Sequence, residues 1–399
     1  MRTTVLGLIL GVLLSTVLTG CWNRRELNDL GIQLGTAIDK VGSQYHLSVQ
    51  VVEPGEVAKR SGKGDISSVT MFKATAPSLL AAFRKLTESS PRKIYGAHIR
   101  VLVLGESLAK EGIANAIDLL VRDPEVRSDF YVMIARGTSA ESVLKVLTSL
   151  EKIPANELFH ALDTSAKAWA PTTTVTLDQL VEKLLTEGEN PVLTGVRVEG
   201  DRSIGEMKQN LDQVDPAAQL QLFGLGVLHK DRLIGWLNET ESKGYNYITD
   251  QVKSTAGYVE CPSGGLLTLE TIQSHTKLKA KMENGEPTVD IHLVDESNIA
   301  EVACTIDLED PQTIARLEKE QEEKKIELMR RTIEAVQSKF KADIFGFGQA
   351  LYRSEPKAWA RLKNEWSEHF AKLKVTYHVE VHIRRIGTTN ESIRNGLKG

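Results

Sequence analysis

Few side chains in this sequence have the types and spacing that chemistry requires, and the best group lies near the carboxyl end. His378, Glu380 and His382 alternate with apolar residues in segment 375–383, so a strand would place all three on one face. Imidazole and carboxylate groups are zinc ligands. Same-face residues are about 7 Å apart along a strand, however, so neighbouring strands would have to complete the site. We therefore favour a solvated polar face and predict no metal and no cofactor.

Motifs for covalent or phosphate chemistry are absent from the sequence. No GxSxG or HExxH motif occurs, and the nine histidines are too scattered for a Ser/His/Asp triad to be assigned from spacing. The run Gly224-Leu225-Gly226 lacks the further glycine of a dinucleotide site and the lysine of a phosphate loop. It predicts a turn or a close approach of strands. We predict that the protein is not an enzyme.

The three cysteines are too few for a disulfide scaffold. Cys261 and Cys304 could pair outside the cytoplasm, and they could equally be buried free thiols, which are common in proteins. We favour free thiols. Cys21 differs from both because of the segment that precedes it.

The first 20 residues have the pattern of a signal peptide. Arg2 is followed by an uncharged run at residues 5–18 and by small residues before Cys21. A helix of this length rises about 21 Å, short of the roughly 30 Å hydrocarbon core, so a permanent membrane span is the weaker interpretation. Residues 18–21, LTGC, resemble the bacterial lipobox, which implies S-diacylglyceryl and N-acyl groups on Cys21. An ordinary secretory signal and an uncleaved helix are the alternatives.

Composition limits the partners and the architecture. Lys and Arg number 49 against 53 Asp and Glu, a formal charge of −4 that disfavours binding of nucleic acid through bulk charge. No later stretch approaches 18 apolar residues, so we expect residues from 21 onward to lie on the extracytoplasmic face of a membrane, held by the lipid anchor. The 399 residues are too many for one compact domain.

The pattern of apolar residues predicts an α+β fold of three mixed α/β domains. After the signal peptide at 1–20, we place an N-terminal mixed α/β domain at 21–193, a small β-rich middle domain at 194–268 and a C-terminal α+β domain at 269–399. In the first domain, strands are predicted at 32–38, 46–52, 69–74, 99–104 and 130–135. Helices are predicted at 78–87, 113–121 and 139–147, and another begins at the capping box of Thr176 and Gln179.

The last third of the chain has the clearest pattern. Segments 278–282, 289–293 and 375–383 alternate apolar and polar residues, which favours antiparallel strands with one buried face. Asp310 and Pro311 are suited to begin a helix, and a second helical stretch that includes Trp359 and Trp366 is interrupted at Pro356. We therefore predict a C-terminal antiparallel sheet with helices packed on one face.

Several short blocks, taken in order, resemble a known family. The mature chain would open with CWNRRELNDLG at 21–31 and GTAIDK at 35–40, and further blocks are IYGAHIRVLVLG (94–105), RDPE (122–125), DFY to RG (129–137), GLGV (224–227) and GWLNE (235–239). These are similar to the Ger(x)C family, the lipoprotein C subunits of spore germinant receptors. Our middle and C-terminal domains together resemble the C-terminal region of that family.

The resemblance implies a function and partners. A member would be a non-catalytic lipoprotein of the spore inner membrane, required for germination through assembly with the A-type and B-type membrane subunits of a nutrient receptor. A solute-binding lipoprotein of a transporter is the alternative, and it would usually show two similar α/β lobes around a cleft. A secreted hydrolase has no motif in its support.

Overall fold

The structure, a computed structural model, describes residues 29–52, 67–261 and 264–385. Within these ranges it has two sheets and twelve α-helices. The first sheet contains β1 (Leu30–Val41), β2 (Gln44–Val52), β3 (Val69–Ala76), β4 (Lys93–Tyr95), β5 (Val101–Gly105), β6 (Tyr131–Ala135), β7 (Val192–Gly200), β8 (Ala218–His229) and β9 (Arg232–Leu237). The second contains β10 (Thr255–Glu260), β11 (Leu266–Glu283), β12 (Glu286–Val302) and β13 (Lys374–Arg385).

The helices are interspersed with the strands along the chain. They are α1 (Leu79–Lys85), α2 (Glu106–Glu111), α3 (Ala114–Arg122), α4 (Ala140–Lys145), α5 (Pro154–Ala168), α6 (Leu177–Leu185), α7 (Arg202–Gly205), α8 (Glu239–Ile248), α9 (Pro311–Lys339), α10 (Phe347–Ser354), α11 (Pro356–Leu362) and α12 (Trp366–Lys372). The five strands predicted in the N-terminal part are confirmed as β1, β2, β3, β5 and β6, and the α+β class is confirmed.

The nine-stranded sheet has the order β3-β2-β1-β5-β6-β7-β8-β9, and β4 pairs with the start of β1. Strands β1, β5, β6 and β7 are parallel neighbours at its centre. Strands β2 and β3 extend one side antiparallel, and β8 and β9 extend the other. Central parallel strands are buried on both faces and are therefore continuously apolar, as in β5, where all five residues are buried.

Helices cover both faces of this large sheet. Leu102, Leu104 and Ile134 face one apolar core, which they share with α1, α2, α3 and α6. Val103 and Met133 face the opposite core, where α4 and α5 pack. Each core takes alternate residues of the same strands because side chains of a strand point to opposite faces.

The four-stranded sheet corrects one prediction. Strands β10, β11 and β12 are antiparallel, but β13 lies parallel to β12, so the prediction of a wholly antiparallel C-terminal sheet is wrong for its last strand. Alternating apolar and polar residues indicate that one face of a strand is buried, but they do not indicate whether the strand is parallel or antiparallel to its neighbour. Direction is set by the connection: the helical segment α9–α12 returns the chain to the end at which β12 began, as in a crossover.

In the described ranges, the helices that contact this smaller sheet pack on one of its faces, as predicted. Val375, Tyr377 and Val379 of β13 pack into the core that also contains Met329 and Ile333 of α9. Asp310 caps α9, since its Oδ1 accepts a hydrogen bond from the amide of Gln312 at 3.0 Å, and Pro311 is the first helical residue. The break at Pro356 separates α10 from α11. The capping box of Thr176 and Gln179 at α6 is also present.

The described strands of the stretch predicted as a middle domain, 194–268, are divided between the two sheets. Strands β7, β8 and β9 are hydrogen-bonded into the large sheet, and Leu193, Leu228 and Leu233 pack in its core. Helix α8 was not predicted, because a glycine and two tyrosines within it have low helix propensity. The capping box of Asn238 and Glu241 was the available signal. The domain boundaries at 193/194 and 268/269 stay a prediction.

The structure pairs the two cysteines for which we favoured free thiols. Cys261 and Cys304 form a disulfide. Both are buried in a small core with Val259, Leu267 and Ile306. Sequence alone did not reveal the pairing because 43 positions separate the two residues, and it is the hairpin of β11 and β12 that brings them together.

We expect reduction of this disulfide to lower the free energy of unfolding by about 2–4 kcal/mol, because it constrains the unfolded chain. Urea unfolding of the full-length chain with and without reductant measures the difference. The Cys261→Ala/Cys304→Ala variant is the control, and its stability should not respond to reductant. Alkylation of both cysteines in denaturant without reductant would contradict the pairing.

Candidate functional site

The residues singled out in the sequence fall in different places. Cys21 lies outside the described residues. His378, Glu380 and His382 lie on the outer face of β13, and His378 stacks on His292 of β12 with ring centroids 4.5 Å apart. Among the residues that the structure describes, no group of three or more His, Cys, Asp or Glu side chains is arranged to hold a metal ion.

Gly224 has φ +66°, and a Cβ there would lie 2.4 Å from the carbonyl oxygen of Leu237, so strands approach closely at this glycine.

The structure brings together one relay of side chains that sequence spacing did not predict. His46 of β2 lies opposite Thr75 of β3. Its Nδ1 is 2.8 Å from Thr75 Oγ1, and its Nε2 is 2.7 Å from Glu141 Oε2 in the first turn of α4. This is the order of hydroxyl, base and acid found in hydrolytic triads.

Its surroundings favour a structural role over catalysis. The first two amides of α4, at Ala140 and Glu141, both donate to the buried carboxylate of Asp39 at 2.9 Å. They are therefore not available to stabilise an oxyanion. Glu141 also accepts from Lys73 at 3.0 Å and from Lys145 at 2.9 Å. Burial alone would raise the pKa of Glu141, but the hydrogen bonds from Lys145, Lys73 and His46 lower it to about 2. The network fixes α4 against β2 and β3.

We expect Glu141→Gln to lower the free energy of unfolding at pH 7 by about 1–3 kcal/mol, because three charged or polar partners lose an ionised acceptor. In the natural chain the pKa of Glu141 is lower in the folded than in the unfolded state. Its stabilising contribution is therefore complete above the ordinary pKa of 4.5 and is lost as the pH falls towards 2. Urea unfolding across pH 2–7 measures this.

The matched control is Glu368→Gln, which removes an exposed carboxylate on α12. Its unfolding free energy should follow that of the natural chain at every pH. The stabilising role of Glu141 is contradicted when the unfolding free energy of Glu141→Gln falls between pH 7 and pH 2 by as much as that of the natural protein.

A cluster of arginine and aromatic side chains joins the end of β6 to β8 and β9. The guanidinium of Arg136 lies 4.7 Å from the ring centroids of both Phe223 and Trp236. Glu106, the first residue of α2, accepts from the amide of Gly137 at 3.0 Å and from the Trp236 indole at 3.4 Å. Burial lowers the pKa of Arg136. Two of the short sequence blocks, one ending near Arg136 and one that includes Trp236, are therefore in contact in the fold although they are far apart in the sequence.

A cavity with several polar groups in its lining lies between the two sheets and has a volume of about 430 Å³. Its walls come from the segment before α6, from α6, from the end of α8, from β11 and from α10. On one wall, Lys183 Nζ lies 2.6 Å from Glu189 Oε1. The electrostatic attraction of Tyr245, followed by that of Glu189, raises the pKa of Lys183 above its ordinary value.

Two further charges line this cavity. Glu182 lies on α6 and Arg353 on α10, and both are exposed. Within the described ranges, neither has an oppositely charged partner within 4 Å. Asp250, at the end of α8, accepts from the amide of Thr276 at 2.7 Å and lies 3.1 Å from His275. The cavity thus has opposite charges on its walls and shows no nucleophile next to a base.

Two family models match the chain, one after the other. The model described as the spore germination protein N-terminal domain matches residues 23–198. The model described as spore germination B3/GerAC like, C-terminal, matches residues 223–387. The chain is 31% identical to spore germination protein KC of Bacillus subtilis over 98% of each chain.

The chain belongs to the GerAC-like family of spore germination proteins. The resemblance to the Ger(x)C family that the sequence blocks indicated is thereby confirmed. Another relative in the GerAC-like family, spore germination protein B3 of Bacillus subtilis, is 23% identical over 94% of this chain and 96% of its own length.

A solved structure has a similar fold. The crystal structure of the GerBC protein matches with a TM-score of 0.52 and 20% identity, covering 88% of this chain and 96% of that one. At this identity the likeness shows the fold alone. In the part of the chain that the structure describes, no helix is long and apolar enough to cross a bilayer.

Proposed function

We propose that this chain is the membrane-anchored, non-catalytic C-type subunit of a nutrient germinant receptor and is required for spore germination. It assembles with an A-type and a B-type membrane subunit at the spore inner membrane. The observation that carries the proposal is the match to spore germination protein KC along nearly the whole chain. The lipobox-like sequence that ends at Cys21 supports the anchor.

A lipid anchor at Cys21 supplies the membrane attachment in this proposal. One acyl chain binds membranes only marginally, with K near 10⁴ M⁻¹, so stable attachment needs a second chain. Cys21 would carry both S-diacylglyceryl and N-acyl groups. Only seven residues, 22–28, separate it from Asp29, the first residue that the structure describes. The folded part would therefore stay close to the membrane and at high effective concentration near membrane subunits.

The solute-binding alternative predicts two similar α/β lobes. The described residues instead form a nine-stranded mixed sheet with helices on both faces and a four-stranded sheet with helices on one. These two units are dissimilar in size, strand order and layers. This difference favours the receptor subunit over a transporter's binding protein.

We expect mass spectrometry of the membrane-extracted protein to find Cys21 at the mature N-terminus, carrying a diacylglyceryl thioether and an N-acyl group. Cys21→Ala should leave the protein uncleaved or released from the membrane, because the thiol that receives the lipid is gone. Cys304→Ala is a matched control and should stay anchored. A mature N-terminus at another position without lipid would contradict the anchor.

Spores that lack this chain should fail to germinate with the nutrient recognised by its receptor, and a Cys21→Ala copy should restore germination poorly unless it is overproduced. The reason is that overproduction replaces the effective concentration lost with the anchor. Affinity purification from spore membranes should recover the A-type and B-type subunits. Recovery of a transporter permease and ATPase, with no receptor subunit, would overturn the assignment in favour of the solute-binding alternative.

A further inference from the structure

We infer that the cavity between the two sheets binds a small zwitterion, a molecule with one ammonium group and one carboxylate group. This goes beyond the proposed function, because a scaffold subunit that acts by assembly needs no ligand. The inference depends on which charges in the cavity are already satisfied and which are not.

The inner charged groups have polar partners within the protein. Lys183 is bound by Glu189 at 2.6 Å and is held beside Tyr245, which is almost fully buried. Asp250 is occupied by the Thr276 amide and by His275. These groups give the cavity a polar wall, with the Asp250 carboxylate just beyond the end of α8.

Two further charged side chains, one anion and one cation, have no ion-pair partner among the described residues. Glu182 on α6 and Arg353 on α10 line the same cavity, and among the described residues neither is in an ion pair. A ligand with a single charge would pair with either Glu182 or Arg353 and leave the other side chain without an ion-pair partner. A zwitterion can form a charge-assisted hydrogen bond with each, and such bonds are about twice as strong as neutral ones.

The position of α8 supports the direction in which the ligand would lie. The last residues of α8 and the two that follow it line the cavity, and the carboxyl end of a helix favours positive charge. We therefore place the ammonium group towards Glu182 and the end of α8, and the carboxylate group towards the Arg353 guanidinium.

The size and the remaining lining suit a small polar molecule. A volume of about 430 Å³ lies at the lower end of the range for ligand sites. Gln179, Gln251 and Thr174 add amide and hydroxyl groups to the lining, and Ile248 and Leu278 add apolar surface. The ligand would touch α6, which packs on the large sheet, and β11 of the small sheet.

The test uses the full-length chain in detergent and a series of ω-amino acids in which the distance between the ammonium and carboxylate groups increases. The series is glycine, β-alanine, 4-aminobutanoate and 6-aminohexanoate. Isothermal titration calorimetry should show binding that is strongest at one chain length. Butylamine and butanoate, which each carry one of the two charges, should bind at least about tenfold more weakly than the best zwitterion, since each loses one charged contact.

Variants assign the two contacts. Glu182→Gln and Arg353→Gln should each weaken the best zwitterion about tenfold. Glu182→Gln should leave butanoate binding unchanged, and Arg353→Gln should leave butylamine binding unchanged. Gln251→Trp, which places a bulky ring in the cavity without changing its charge, should abolish binding. Glu368→Gln and Arg361→Gln remove exposed charges elsewhere on the C-terminal helices and should have no effect.

Each outcome decides the inference. It is overturned when no member of the series binds, when a singly charged probe binds as tightly as the best zwitterion, or when Glu182→Gln and Arg353→Gln bind like the natural chain. Thermal unfolding of each variant without ligand, expected to match the natural chain because both side chains are exposed, separates lost binding from lost folding. Germination of spores is a separate measurement, so this inference can fail while the proposed function holds.

Discussion

One apolar core that takes side chains from both sheets is the constraint on which the rest of the structure depends. Val192, Leu225 and Val227 of the large sheet pack in the same cluster as Val289 and Ile291 of the small one. Three phenylalanines fill the space between them, with Phe345 and Phe347 stacked at 5.1 Å and Phe370 beside both. Because neither sheet can cover these residues alone, β7–β9 serve as the end of one sheet and as the support of the other. The cavity walls contributed by α8 and α10 belong to this core, whereas α6 packs in the core on the large sheet.

Buried charges determine how this core is arranged. The Asp343 carboxylate accepts hydrogen bonds from four amides between Phe345 and Gly348 and from the Trp366 indole. Its removal from water outweighs these bonds and raises its pKa to about 6. Lys325 of α9 lies 3.1 Å from Asp295 of β12, and both are buried. A buried ion pair adds little net stability, but an α9 shifted by one residue would leave both charges unpaired, which is far costlier. These groups therefore select one packing among several apolar ones.

Local signals in the sequence were enough to predict much of the fold. Uniformly apolar runs such as β5, and caps such as Asp310 and Thr176, depend on neighbours within a few residues, so the sequence contains them. The direction of a strand, the pairing of cysteines and the meeting of side chains in one site depend on distant parts of the chain. Nothing in the alternation of β13 separates a parallel from an antiparallel strand, and the Cys261–Cys304 disulfide and the Thr75–His46–Glu141 relay need the tertiary fold. The same holds for the cavity, whose two unpaired charges are 171 positions apart.

The place where the chain enters the fold bears on how an anchor would act. β1 begins at Leu30 and is bonded to β2 on one side and to β5 on the other, so it is a central strand of the large sheet. A tether of residues 22–28 can span at most about 28 Å to Asp29. A pull on it would first reach the three residues of β1 that pair with β4 and then the part of β1 that β2 and β5 hold on both edges. Peeling an edge strand breaks one ladder of hydrogen bonds, whereas removing β1 breaks two and opens both apolar cores. In the proposed lipoprotein, the anchor would therefore pull on a strand that cannot leave the sheet without breaking both ladders.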